Sequence, residues 1–389
     1  MFSIILGIPC LFLIPLWSRL KRRDRDLSLF LLNIFFAFMI TSFYLNGEDW
    51  ASYYTNLFTD GGTTWFEPGF YISIILIKTI SLGNFGLTIL LYFLLCFFLL
   101  SKALKSLEAI NIPVFYVFLL LCFGNTLVLE QLRQFMAAII AIFALIAFQK
   151  GKKRNALLLI FLAISFHISA LILFVSFFIC SKGSSKFFVY TSTTLMIFIS
   201  IFFITPELFT PLLQFFPAIL LKLTQYREIT AIGFHLGPSF LISMMFLVFL
   251  FFNSHLFSKN RGNDEWFLFR QMFFGVLIFM VGLYIPFAGR FSVYFVLYVF
   301  IFSSKKSSFY SFSRIIPKTT AIYSIVLMMF IFSNLLSYYK NELSPISFFQ
   351  LDTHFVEFMA NDINYNDRIF RIYLKNYEKL EEYKDSQGI

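Results

Sequence analysis

The sequence predicts an all-α, polytopic membrane protein with about 12–13 transmembrane helices and some re-entrant or short ones. Three observations predict it. Of the 389 residues, 59% are apolar and 13% charged, where a soluble domain carries roughly 45–50% and about 25%. The apolar residues form long runs, among them 87–100, 114–129 and 272–286, and the mean hydropathy is +0.79. The basic residues sit in short blocks between those runs, the pattern of cytoplasmic loops. A net charge of +10 laid out in this way is not a nucleic-acid-binding face. Soluble enzymes, nucleic-acid-binding modules and disordered scaffolds are excluded.

Residues 1–17 read as an uncleaved first span, because the basic cluster follows the apolar stretch, whereas a signal peptide has its charges first. That cluster (Arg19, Lys21, Arg22, Arg23 and Arg25) puts the first loop inside the cell. Residues 27–45 then cross outward. The following loop, 46–65, is external and holds Glu48, Asp49 and Asp60 with no Lys or Arg. The next basic blocks are Lys102/Lys105 and Lys150, Lys152, Lys153 and Arg154, both expected inside. Two apolar segments, 66–82 and 87–100, precede them, so parity requires that one does not span. The first contains Lys78 and is interrupted by Pro68 and Gly69, and is expected to be re-entrant or interfacial. Residues 114–129 and 135–148 form a hairpin whose tip, from Glu130 to Gln134, faces outside.

As one helix, 155–180 would be about 39 Å long against a ~30 Å core. A single crossing would also leave Lys182, Lys186, Lys259, Arg261, Arg270, Lys305, Lys306, Arg314 and Lys318 outside. A turn back near His167 places all of them inside and leaves Lys222, Arg227 and Arg290 outside in that half. The remaining spans are then 187–204, 240–252, 272–286, 291–302 and 319–336, with an external segment at 205–237 and an internal one at 254–270. The chain divides into a membrane domain, 1–338, and a polar tail, 339–389, expected outside. Cys10, Cys96, Cys122 and Cys180 all lie within apolar runs, as small buried hydrophobes would. No metal-ligand spacing, internal repeat or Gly-rich phosphate loop is evident.

This topology uses only loop charges and parity, yet it gathers Asp49, Tyr53, Glu67, Glu130, Arg133, His167, Arg227 and Arg290 at or near the outer boundary. Arg133, His167 and Arg290 lie at or against apolar segments, where ionisable groups are costly and usually face a cavity or a substrate path. Each has a plainer alternative. Asp49 and Glu67 could be solvated loop acids, and Arg133 could pair with Glu130 at i,i+3. His167 could be a hydrogen-bonded turn residue, and Arg290 a snorkelling side chain. Their conjunction on one face favours a site.

The order Asp49-x-x-x-Tyr53, Glu67-Pro68-Gly69-Phe70, Leu132-Arg133-Gln134, Phe166-His167-Ile168-Ser169 and Arg290-x-x-x-Tyr294 resembles the EpsG/Wzy group of polysaccharide polymerases. The resemblance covers residues 1 to about 340; the segment 341–389 has no counterpart in it. It implies an architecture like that of C-type membrane glycosyltransferases. The implied activity is joining of oligosaccharide repeat units, carried on undecaprenyl diphosphate, on the external face of the bacterial cytoplasmic membrane; with no metal cluster evident in the sequence, a metal-independent reaction is expected. Its implied partners are that lipid-linked oligosaccharide and membrane lipid, with a polysaccharide chain-length regulator a further candidate. O-antigen, capsule and exopolysaccharide are all open as products.

The residue types suit this chemistry. Arginine binds diphosphate oxygens with a planar fork and stays charged, so Arg133 and Arg290, with Arg227 as a third candidate, are expected to hold the leaving group. Asp49 or Glu67 could accept the proton of the attacking sugar hydroxyl, and His167 could bind phosphate or move a proton. Tyr53, Glu130, Gln134 and Tyr294 are expected to contact substrate. The rival readings are a flippase for the same lipid-linked saccharide, a membrane acyltransferase, and a ligase for the finished polymer. Alternating access usually places a transporter site near midplane, whereas these residues collect on one side.

Overall fold

The computed structural model describes residues 2–46, 49–59, 66–107, 110–181, 185–204, 238–252, 265–283, 289–305, 355–360 and 365. The expectations for Glu48, Arg227, the segment 205–237 and the span 319–336 lie outside these residues. All regular elements among the described residues are helical, apart from one isolated bridge between Ile110 and Lys305. The protein is an all-α membrane protein: three helices are long and apolar enough to cross a bilayer, and eight further apolar helices are shorter.

Helix α1 (Phe2–Trp17) leads into α2 (Arg22–Phe43) through a basic corner. Asp26 of α2 pairs with Lys105 at 2.5 Å, at the end of α5 (Phe85–Lys105). These two helices therefore run antiparallel, with their basic ends together. Helix α6 (Ile112–Phe123) joins them in the interior. There the hydroxyls of Ser101 and Tyr116 both lie 3.0 Å from Asn33 Oδ1 and donate to it. Apolar burial does not drive helix association in lipid, so such bonds and close packing hold helices together.

Helix α7 (Leu132–Gln149) runs parallel to α5, since Tyr92 bonds to Leu132 and Phe97 packs on Phe135. Its far end therefore reaches the same basic end as Lys105. Helix α8 (Lys153–Phe166) returns from that end after a tight turn at Gly151, whose φ is +73°. The chain then reverses at His167 through a 3-10 turn (Ile168–Leu171) into α9 (Ile172–Ser181). Phe161 and Phe174 meet across this reversal at 5.2 Å, and Phe177 reaches Phe148 near the end of α7. The turn expected at His167 is thus present, with arms of 14 and 10 helical residues.

After α10 (Ser185–Ile204) and α11 (Pro238–Phe252) come α12 (Glu265–Gly282) and α13 (Gly289–Ser304). Phe269 packs on Phe302 and Phe274 on Phe295, so these last two are antiparallel. Tyr298 bonds the carbonyl of Ala141 at 3.3 Å and aligns α13 alongside α7. Arg270 departs from the loop position the charge pattern suggested. It lies within α12, 1% exposed, with its guanidinium over the rings of Trp266 and Phe188 and donating to the Cys180 carbonyl at 3.0 Å. That carbonyl belongs to the last turn of α9, which has no helical partner for it, so a cation there both caps and neutralises the helix end.

Two short helices lie at the end opposite the basic blocks. Helix α3 (Asp49–Phe58) and helix α4 (Pro68–Ile80) advance side by side, Tyr53 against Phe70 and the Leu57 carbonyl bonded to Lys78 at 2.6 Å. A turn with Leu82 and Gly83 at positive φ leads from α4 into α5. Because α4 begins beside Tyr92, seven residues into α5, it starts about 10 Å inward from the start of α5. It then ends level with that start. At 13 residues against the 21 of α5, it is a short segment of the kind expected to be re-entrant or interfacial.

Candidate functional site

Two breaks in regular helix build the site. Pro68 opens α4 and needs no N–H partner there, and Glu67, the residue before it, makes no side-chain bond to its own helix. Its carboxylate is free to reach elsewhere. On the facing hairpin the α6 helix stops at Phe123 and continues as a seven-residue π-helix, Gly124–Glu130. Such wide turns are rare and concentrate at functional positions. The apolar run 114–129 gave no sign of this one, because a π-turn changes hydrogen-bond register and leaves composition unaltered. It delivers Gln131 to the tip, and α7 begins at Leu132 with Arg133 and Gln134 in its first turn.

Arg133 and Glu67 meet here. Arg133 Nη1 donates to Glu67 Oε2 at 2.6 Å, and Arg133 Nε lies 3.4 Å from the Tyr53 hydroxyl. The guanidinium carbon is 5.2 Å from the Phe66 ring centroid and 5.9 Å from that of Tyr53. The second carboxylate oxygen, Oε1, accepts from the Ile168 N–H at 3.2 Å. Glu67 thus ties the start of α7 to the turn that follows α8. The side chains of Arg133 and Glu67 remain 25% and 17% exposed, so the pair is accessible. Arg133 bonds across 66 residues to Glu67.

Burial works to raise the Glu67 carboxyl. The nearby charge of Arg133, hydrogen bonds and the proximity of His167 outweigh it, and hold the group below its usual 4.5. A carboxylate so held is a weak base at neutral pH. The close approach of α4 to α8 depends on Gly69, where a Cβ would lie against the Ser165 hydroxyl and 2.9 Å from its carbonyl oxygen.

A second chain of bonds runs from the His167 turn. The Ser169 N–H donates to His167 Nδ1 at 3.2 Å, and Ser169 Oγ lies 2.5 Å from the same nitrogen. Ser169 Oγ also lies 2.8 Å from the Tyr294 hydroxyl on α13. A backbone N–H can only donate, so Nδ1 is an acceptor and the ring proton resides on Nε2. His167 is therefore a hydrogen-bonded turn residue that leaves Nε2 as its donor. Gln134 Nε2 donates to the Arg290 carbonyl, while its Oε1 is buried without a partner among the described residues. Arg290 is tied to the site through its backbone, and its side chain is exposed.

Tyr53, Glu67 and Arg133 are thus joined by direct contacts, the Ile168 N–H links them to the turn in which His167 and Tyr294 meet through Ser169, and Gln134 bonds the Arg290 carbonyl beside them. Asp49 lies one helical turn before Tyr53, and Glu130 ends the π-helix at the same end of the bundle. Ser169, Phe66 and Tyr92 also belong to the cluster; Tyr92 bonds the Leu132 carbonyl at 3.3 Å. The signal for Tyr92 was a hydroxyl in the middle of an apolar run.

Residues 26–348 match the profile of the EpsG family. The chain belongs to the EpsG family. No curated protein and no solved structure matches it. The EpsG match spans every residue of the cluster and stops before the helix at Phe355–Ala360. EpsG membership supports a polymerase-like, glycosyltransferase-like role in polysaccharide biosynthesis, within a membrane.

Proposed function

We propose that this protein joins lipid-linked oligosaccharide repeat units into polysaccharide, using the Arg133 cluster on the external face of the cytoplasmic membrane. The observation that carries the reading is the Arg133–Glu67–His167 arrangement, in an EpsG-family chain, at the bundle end opposite the basic blocks. In the reaction, the bond between the anomeric carbon of the growing chain and its undecaprenyl diphosphate breaks. A hydroxyl of the incoming unit forms the new bond to that carbon, its proton passes to a base, and the lipid diphosphate departs.

Arg133 holds the diphosphate and stabilises the charge that develops as the bond breaks. Its charge is already partly met by Glu67, so Glu67 fixes the fork in place and is not the base. Asp49 takes the hydroxyl proton. Nε2 of His167 donates to a phosphate or sugar oxygen, oriented by Ser169 and Tyr294. Arg290 and Arg227 supply further charge to the diphosphate, and Tyr53, Glu130 and Gln134 contact sugar.

The test is the length profile of surface polysaccharide in cells lacking the gene and in cells carrying Arg133→Ala. A collapse of the ladder to single repeats in both supports the polymerase. A normal ladder with Arg133→Ala overturns the diphosphate role, and lipid-linked units trapped inside the cell would indicate a flippase.

A further inference from the structure

The chain beyond the EpsG match contributes contacts to this end of the bundle. Phe355–Ala360 forms a short helix, α14, against α2 and the start of α5. Phe358 is fully buried, with its ring 5.4 Å from Phe85 and 6.3 Å from Tyr44. Asn84, which caps α5 with its Oδ1, donates from Nδ2 to the Met359 carbonyl at 2.6 Å. Gly86 has no side chain, and a Cβ there would strike the Phe358 backbone, so the approach is as close as a glycine permits. Five residues on, Tyr365 is 5% exposed and stacks on Tyr54 of α3 at 4.1 Å and 23°. Its ring also lies 6.1 Å from Trp50 and 5.9 Å from Phe85.

Helix α3 is consequently held on two sides. Trp50 and Tyr54, one turn apart, meet Tyr365, while Tyr53 meets Phe66, Phe70 and Arg133. A ten-residue helix is too short to be stable by itself, so its position depends on what packs against it. The same helix carries Asp49.

We propose that Tyr365 is a positioning residue: the C-terminal segment acts as a strap that presses α3, and with it Tyr53 and Asp49, against Arg133. The role in chain extension rests on the polymerase reading above; the mechanical role does not. Displacing a catalytic group by about 1 Å can cost around 100-fold in rate, so a strap at this position controls turnover without touching substrate.

The experiment uses the full chain in lipid nanodiscs, with a spin label on Ser52→Cys, an exposed position of α3. Tyr365→Ala is expected to raise label mobility and cut the rate of extension at saturating lipid-linked unit by about tenfold. Tyr365→Phe, which keeps the stacking ring, is expected to restore both. Tyr365→Leu keeps apolar bulk and serves where the alanine variant does not accumulate. Unchanged mobility in the Ala or Leu variant overturns the strap. Raised mobility with an unchanged rate overturns the positioning role. If cells lacking the gene keep a normal ladder, the polymerase reading fails, and the mobility result still decides the strap.

Discussion

Replacing Glu67 by Gln and by Ala separates a positioning carboxylate from a catalytic base. The carboxylate holds two donors, Arg133 at 2.6 Å and the Ile168 N–H at 3.2 Å. Hydrogen bonds to charged groups contribute about 1.5–3 kcal/mol each, so Glu67→Ala should forfeit about 3 kcal/mol or more of local fixation. At 1.4 kcal/mol per tenfold, this is a loss of about 100-fold in the rate of chain extension. Glu67→Gln keeps a carbonyl oxygen for one donor and loses the charge. It should cost about 1 kcal/mol, roughly a fivefold loss. Rates are read from the length profile in cells and from extension by purified protein supplied with lipid-linked repeat units, with thermal unfolding in detergent as the control for folding. Removing a general base costs about 100- to 10,000-fold however the side chain is removed. A Gln variant that folds normally but is as inactive as the Ala variant would refute the positioning role and make Glu67 the base.

The same carboxylate fixes a pH dependence. Its folded-state pKa is depressed below 4.5, so its contribution is fully present above the unfolded value and is lost as pH falls through the folded one. Any change in unfolding temperature in detergent between pH 8 and pH 5, roughly, should therefore owe nothing to Glu67, whose contribution is constant there, and a difference between wild type and Glu67→Gln should narrow only in stronger acid. Ser169→Ala frees His167 Nδ1 from its hydroxyl and cuts the link to Tyr294; extension should slow about tenfold with little change in stability, and nitrogen chemical shifts of His167 should still show Nδ1 as the acceptor, because the Ser169 N–H that donates to it is kept. Gly69→Ala forces α4 away from Ser165 and should cost about 1–3 kcal/mol. Ser165→Gly should rescue it only in part, because the carbonyl contact remains. Arg270→Met should lower the unfolding temperature through the lost cap on α9 and the lost ring contacts, and residual folded protein should still extend chains.

Hydropathy and charge, both local properties of sequence, were enough for the membrane class, the shortness of α4 and the reversal at His167. Lipid offers no water to backbone groups, so long apolar runs must be helical, and short basic loops bias their ends to one side. Tertiary structure decided the pairings. Nothing local distinguishes Glu67 from Glu130 as the partner of Arg133, since the bond spans 66 residues and depends on how α4 meets the α7 tip. The π-helix that sets this tip is invisible in composition. Arg270 looked like a loop cation because burial of an arginine depends on two rings and a carbonyl from other segments. The C-terminal segment read as a polar tail, since Phe358 and Tyr365 reveal a docking face only when α3 and α5 are placed beside them. By itself the sequence determined the membrane class and which residue types meet at one end. The contacts that give those residues separate tasks were decided by packing, because they are made between segments that are distant in the chain.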